Sequence, residues 1–100
     1  MILVRDVFRL RFGKGKEARA LLPQRARIMA AVGMAPSRQL VDLTGPYYTL
    51  VIESTHAGLG AWESALRKAH ANPEWAVWFE KFKPLIESGC REIFTVVNAG

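Results

Sequence analysis

Apolar and polar residues alternate along four short segments of the chain, which is the pattern of β-strands with two different faces. In residues 2–12 the even-numbered positions are apolar apart from Asp6, and the odd-numbered positions include three arginines. The other alternating segments are residues 37–43, 47–54 and 91–97. Because Thr44-Gly45-Pro46 carries turn-forming residues between two of them, those two strands are predicted to form a hairpin.

A helical spacing replaces the alternation between Glu17 and Val32, where apolar residues recur every three or four positions. Pro23 lies inside this segment, and an interior proline removes a main-chain hydrogen bond and bends a helix. The sequence therefore predicts either a kink at Pro23 or a helix that begins late, with Gly33 as its stop.

A second helical region extends from Leu59 to Ile86 and is divided by Asn72-Pro73-Glu74, a helix cap followed by a first-turn proline and an acidic residue. Pro84 is expected to bend the last turn, and Ser88-Gly89 to end the helix. The predicted order is β-α-β-β-α(α)-β. This order favours an α+β, ferredoxin-like fold with a four-stranded antiparallel sheet and helices on one face, as a single domain spanning residues 1–100.

The sheet is predicted to have a second apolar face. Val51 lies opposite in phase to Leu50 and Ile52, and the last strand carries apolar residues on both sides. A face in contact with water is expected to be polar, whereas a contiguous apolar face marks an interaction surface. We therefore expect a homodimer that packs this sheet face against its own copy.

The composition of the chain limits which binding partners and which cellular compartment are expected. The chain has a net charge of +5, but its basic residues are scattered, so a solvated basic surface is favoured over the alternative of nucleic-acid binding. Cys90 is the single cysteine, which excludes an internal disulfide and a CxxC motif. The sequence contains neither a membrane-spanning apolar run nor the features of a signal peptide, so a cytoplasmic location is expected.

The segment Ala71-Asn72-Pro73-Glu74-Trp75, followed by Phe82-Lys83-Pro84-Leu85-Ile86 and a strand, resembles the C-terminal half of NIPSNAP-type domains. The chain is also similar in layout to the antibiotic-biosynthesis-monooxygenase group. Both belong to the dimeric α/β-barrel superfamily, so the resemblance implies two ferredoxin-like subunits packed sheet against sheet. It does not imply one activity, because members range from oxygenases to proteins with no known reaction.

The resemblance also suggests candidate catalytic residues. Haem-degrading members of the superfamily use an asparagine on the first strand with a tryptophan and a histidine from the helical region, and the corresponding candidates here are Asp6, Trp62 and His70. Packing in the core is the favoured explanation of Trp62, and a position at a helix C-terminus is the favoured explanation of His70. Because Asp6 replaces the asparagine and no histidine has a ligand spacing, neither haem nor a metal is expected as a cofactor.

Aromatic residues supply candidates for ligand binding. Tyr48, Trp62 and Trp78 are expected to line an apolar pocket between sheet and helices, although core packing also accounts for them. His56 with Glu53 is considered as a metal pair, but exposed loop residues are the favoured interpretation. The leading hypothesis is a dimer that binds a small apolar or aromatic ligand, and the alternative is a cofactor-independent monooxygenase acting on an aromatic or polyketide-like substrate. An open cavity faced by both Asp6 and His70 would favour the enzyme.

Overall fold

Strands and helices follow one another in the predicted order. A computed structural model describes residues 1–98, and the sequence beyond them carries none of the predicted elements. The elements are β1 (Ile2–Leu10), α1 (Gly15–Ala20), α2 (Leu22–Ala31), β2 (Arg38–Val41), β3 (Thr49–His56), α3 (Leu59–Ala71), α4 (Pro73–Phe82), a 3₁₀ turn (Lys83–Leu85) and β4 (Ile86–Thr95).

The sheet has the strand order β2-β3-β1-β4, and every neighbouring pair is antiparallel. The helices cover one face, which we call the inner face, and this confirms the predicted α+β ferredoxin-like arrangement. None of the helices described within residues 1–98 is long and apolar enough to cross a bilayer.

The core lies between the inner face and the helices because the alternation of the strands directs their apolar residues to that side. Leu50 and Ile52 of β3 are 0% and 2% exposed, and they pack with Ile28 of α2 and with Trp78 and Phe82 of α4. Burying one such aliphatic side chain stabilises the fold by about 1.5–3 kcal/mol. Asp6 lies on the same face of β1, as its position in the alternation predicts.

The first helical segment divides into two helices at Leu21. Pro23 lies in the first turn of α2, where a missing N–H costs nothing, so the chain begins a new helix there. The indole Nε1 of Trp78 donates a hydrogen bond of 2.7 Å to the Leu21 carbonyl and fixes this break against α4. Gly33 has a φ of +81° just past α2, which confirms the predicted stop.

The boundary between α4 and β4 differs from the prediction. The cap is correct, since the Glu74 N–H donates to Asn72 Oδ1 at 3.0 Å, but the helix ends at Phe82 and the strand already begins at Ile86. Pro84 prevents the helix from continuing, and β1 offers a strand partner from Ile86 onward. Gly89 is thus a strand residue rather than a helix stop. A Cβ there would lie 3.2 Å from the Val7 carbonyl oxygen.

Two rows of side chains cross the outer face of the sheet, which no helix covers. One row is apolar and contains Leu40, Val51, Val7 and Cys90, which lie opposite one another on successive strands. The adjacent row is ionic.

The ionic row holds Arg38, Glu53, Arg5 and Glu92. Arg5 Nε and Arg38 Nη2 donate to Glu53 at 2.7 and 2.6 Å. Their hydrogen bonds lower the pKa of Glu53 below its ordinary value, the Arg38 bonds having the larger effect. The favoured interpretation of Glu53 as an exposed loop residue was wrong. It lies within β3 and is 5% exposed because the two arginines cover it.

Candidate functional site

A cavity of about 330 Å³ opens between the inner face of the sheet and helices α2, α3 and α4. We call it the aromatic cavity. Its polar lining comes from Asp6, Arg25, Ser54, His70 and Arg91, and the remainder is apolar or aromatic.

A continuous series of rings forms one wall of the aromatic cavity. His70 and Trp75 have ring centroids 4.9 Å apart, Trp75 and Trp78 5.0 Å, Trp78 and Phe82 4.6 Å, and Phe82 and Phe8 5.4 Å. Phe8 comes from β1 and His70 from the end of α3, so the series extends from the sheet to an exposed helix end. Trp78 and Phe82 are 1% and 2% exposed, so the flat surface accessible to a ligand comes from Phe8, Trp75 and His70.

Asp6 is a buried carboxylate with a charged partner. It is 9% exposed and faces Arg91, which lies directly across the ladder between β1 and β4. Arg91 Nε donates to Asp6 Oδ1 at 2.5 Å, and its guanidinium carbon lies 5.1 Å from the centre of the Trp62 ring. The expectation that Asp6 lies on the inner face is confirmed, and its carboxylate is compensated by an ion pair rather than left unpaired.

Arg25 brings a second guanidinium to the same cavity from α2. Burial lowers the pKa of Arg25 below its ordinary value, the nearby Asp6 opposes that change, and the like charge of Arg91 adds to it. The sequence did not single out Arg25. Its position among several basic residues of the helix gave no sign that it faces inward.

His70 lines the aromatic cavity and is exposed to solvent. Desolvation lowers the pKa of His70 below its ordinary value of 6.5, and the positive charge of Arg91 lowers it further. The imidazole is therefore neutral at pH 7 and able to accept a proton.

Ser54 and His56 form a pair that sequence reasoning missed. Ser54 Oγ and His56 Nε2 are 2.8 Å apart, and Ser54 lines the aromatic cavity. Their spacing of two residues on a strand is the only signal that could have found them, because it places both on the inner face. Glu53 lies on the outer face, so the structure does not bring it to His56. Within residues 1–98 no group of three potential metal ligands occurs.

Four of the five candidate residues therefore come together at one place, since Asp6, Trp62, His70 and Trp78 all line the aromatic cavity. Tyr48 does not. It precedes β3 at the end opposite Ser54, and its ring centroid lies 5.0 Å from that of Phe12. Trp78 is 1% exposed, so it forms part of the wall and has little surface to offer a ligand.

Comparison with solved structures identifies similar folds, although no protein-family model and no curated protein matches the sequence. A NIPSNAP family protein from Agrobacterium tumefaciens is 21% identical with a TM-score of 0.89, covering 98% of this chain and 94% of that one. An uncharacterized NIPSNAP domain protein from Burkholderia xenovorans is 13% identical with a TM-score of 0.86, covering 100% and 98%.

A crystal structure of an antibiotic biosynthesis monooxygenase is similar to a lesser degree. It is 12% identical with a TM-score of 0.75, covering 98% of this chain and 100% of that one. At these identities the likeness concerns the fold alone. The predicted resemblance is confirmed at that level: this chain folds like NIPSNAP family proteins and, with a lower structural similarity, like an antibiotic biosynthesis monooxygenase.

Proposed function

We propose that the protein binds a small, planar and largely apolar molecule in the aromatic cavity. The observation that carries this proposal is an open space lined by aromatic rings that keep accessible surface, those of Phe8, Trp75 and His70. The volume of about 330 Å³ lies at the lower end of the range for small-molecule sites, and the few convergent polar groups are typical of such sites.

Binding of the neutral aromatic probe 1-naphthamide, measured by isothermal titration calorimetry, tests the site. Leu66 lines the cavity, so Leu66→Phe adds bulk there and should weaken binding by about tenfold or more. Leu59→Phe makes the same change on α3 at a position 53% exposed, and should leave affinity within about twofold. Circular dichroism checks that both variants are folded. No saturable binding by the parent, or equal affinity in the two variants, would contradict the proposal.

The functional unit in this proposal is a cytoplasmic homodimer that packs the two outer faces together. The apolar row that contains Leu40 and Val51 supports it, as does the adjacent ionic row, whose two arginines and two glutamates balance in charge. β4 supports it too, because nine of its ten residues are exposed, including the apolar ones at its end.

Sedimentation velocity tests the dimer. The parent is expected to sediment as a dimer, and Val51→Glu is expected to dissociate it because a charge would be buried in the interface. Val77→Glu places the same charge on α4 at a position 56% exposed, and should remain dimeric. A folded parent monomer at micromolar concentration would refute this part of the proposal.

A second candidate function is cofactor-independent oxygenation of an aromatic substrate. Asp6 and the neutral His70 both face the open cavity, the arrangement that favours the enzyme. His70 would accept a proton from an activated methylene group. O₂ would then supply one oxygen atom to the new carbonyl group, and the other would leave as water with both methylene hydrogens.

Anthrone provides a suitable methylene group for testing this candidate. The expected result is O₂ consumption matched by anthraquinone formation, and its reduction in His70→Gln, which lacks the basic nitrogen. An unchanged uncatalysed rate in the presence of the parent would eliminate the oxygenase and leave ligand binding intact.

The proposal leaves out haem, metals and nucleic acid. A haem titration with a tight Soret shift that is lost in His70→Ala would contradict the expectation that haem is not a cofactor. Affinity for duplex DNA should disappear at moderate salt, since only counterion release would drive it. If affinity is retained near physiological salt and lowered by Arg9→Ala, the expectation that the protein does not bind nucleic acid is contradicted.

A further inference from the structure

The charged groups at the aromatic cavity do not balance. Asp6 supplies one carboxylate, whereas Arg25 and Arg91 supply two guanidinium groups, and His70 is neutral at pH 7. One positive charge therefore remains in a space walled mostly by aromatic rings.

The uncompensated charge belongs to Arg25. Arg91 is already bound, because its Nε donates to Asp6 Oδ1 at 2.5 Å and its guanidinium lies over Trp62. The guanidinium of Arg25, by contrast, makes no hydrogen bond with any other group of residues 1–98. This guanidinium is partly desolvated, and its planar fork is shaped to receive two carboxylate oxygens.

Arg25 also occupies a junction. A second depression of about 310 Å³ adjoins the aromatic cavity, and the wall they share contains Arg25, Met29, Met34 and Ser54. Apart from the arginine, the polar group of this wall is the Ser54 hydroxyl, which has donor capacity for an anion whenever His56 Nε2 carries the proton. The polar end of a ligand would therefore lie at this junction, with its rings against Trp75.

We infer that the ligand of the aromatic cavity is an aromatic carboxylate whose carboxylate group binds to Arg25. This inference rests on the proposed function and adds the chemical class of the ligand. Asp6 has the opposite effect on such a ligand, because its negative charge repels the incoming anion while it holds Arg91 away from it.

Two probes with the same ring system test the inference on the parent protein alone. Calorimetry near neutral pH compares 1-naphthoate with neutral 1-naphthamide, and naphthoate should bind about tenfold more tightly or better. Equal affinities would overturn the carboxylate inference and leave the proposed function standing. If neither probe binds, both proposals are overturned.

Variants then test which residue binds the carboxylate group of 1-naphthoate. Arg25→Gln should weaken naphthoate by about tenfold or more and naphthamide by no more than about twofold. Arg67→Gln removes the same charge from an exposed position of α3 that lines neither depression, and it should change neither affinity. Asp6→Asn should strengthen naphthoate binding. If Arg25→Gln does not fold, Arg25→Lys replaces it and should show an intermediate loss, because the charge remains without the fork. Equal losses in Arg25→Gln and Arg67→Gln would overturn the assignment.

Discussion

Replacing Asp6 with alanine tests whether the ion pair on the inner face holds the fold together. The variant loses the charge-assisted hydrogen bond from Arg91, and it removes the one nearby negative charge that favours the protonated form of Arg25. Asp6→Asn is the matched variant, because it keeps the size of the side chain and an oxygen that can accept the Arg91 hydrogen bond.

The expected loss of stability follows from how exposed the side chains of Asp6 and Arg91 are. Hydrogen bonds to charged groups contribute about 1.5–3 kcal/mol when both partners are buried. The side chain of Asp6 is 13% exposed but that of Arg91 is 43% exposed, so Arg91 can reach water when its partner is removed. Asp6→Ala is therefore expected to lower the free energy of unfolding by about 1–2 kcal/mol, or about 5–12 °C in Tm for a domain of this size. Asp6→Asn should cost less than about 1 kcal/mol.

Urea denaturation followed by tryptophan fluorescence measures these differences. All variants should be compared at one protein concentration, since stability depends on concentration in a dimer. A double-mutant cycle with Arg91→Gln should give a coupling free energy of about 1 kcal/mol. An Asp6→Ala variant as stable as the parent would refute a structural role for the pair, and would indicate that Asp6 is retained for activity at the cost of stability.

Three further predictions concern other groups. Glu53→Gln should cost about 1 kcal/mol at pH 7, since exposure of the arginines to solvent limits the gain. Because the folded-state pKa of Glu53 is lowered, the difference between parent and variant should shrink as the pH falls below about 4.5, and a constant difference in acid melts would contradict this. The pKa of His70 is lowered in the folded protein, so the free energy of unfolding falls below pH 6.5 as the unfolded chain takes up the proton. His70→Phe should reduce this loss of stability in acid. Thermal melts between pH 5 and 7 measure the difference. Trp78→Phe should lose about 2–3 kcal/mol by removing the hydrogen bond to Leu21 and leaving a void, whereas Trp62→Phe, at a less buried position, should lose under about 1 kcal/mol in the same urea assay.

The sheet and its two faces were predictable because a period of two is a strong signal. It placed Asp6 on the face of β1 that was expected to be buried, and it placed Val51 opposite Leu50 and Ile52 on β3 while leaving open which face Val51 occupies. The start of β4 was not predictable in the same way. Ile86 continues the helical spacing of α4, and only the pairing of Leu10 with Ile86 across the sheet shows that the chain is already extended there. Tertiary pairing outweighed the local pattern.

The candidate site was predicted from residues that break the apolar pattern, and the residues that pair with them were not predicted. Asp6 stood out because it is polar at an apolar position, whereas the spacing of Trp62 and His70 left open whether α3 brings both to one pocket. Arg91 could not be assigned to Asp6, since 85 residues separate them and the register of β4 was not fixed by the sequence.

Arg25 was hidden for a different physical reason. On a helix with several basic residues, each arginine has the same local pattern, and a long side chain can leave the polar face and reach a cavity beside it. Whether it does so depends on what the facing elements place there. Here β1 and β4 present Asp6 and Arg91 to the cavity, and they form an ion pair with each other that leaves the guanidinium of Arg25 without a hydrogen-bonded partner among residues 1–98. The property that distinguishes this cavity, an unbalanced positive charge beside aromatic rings, thus exists in no segment of the sequence and arises only when three elements meet.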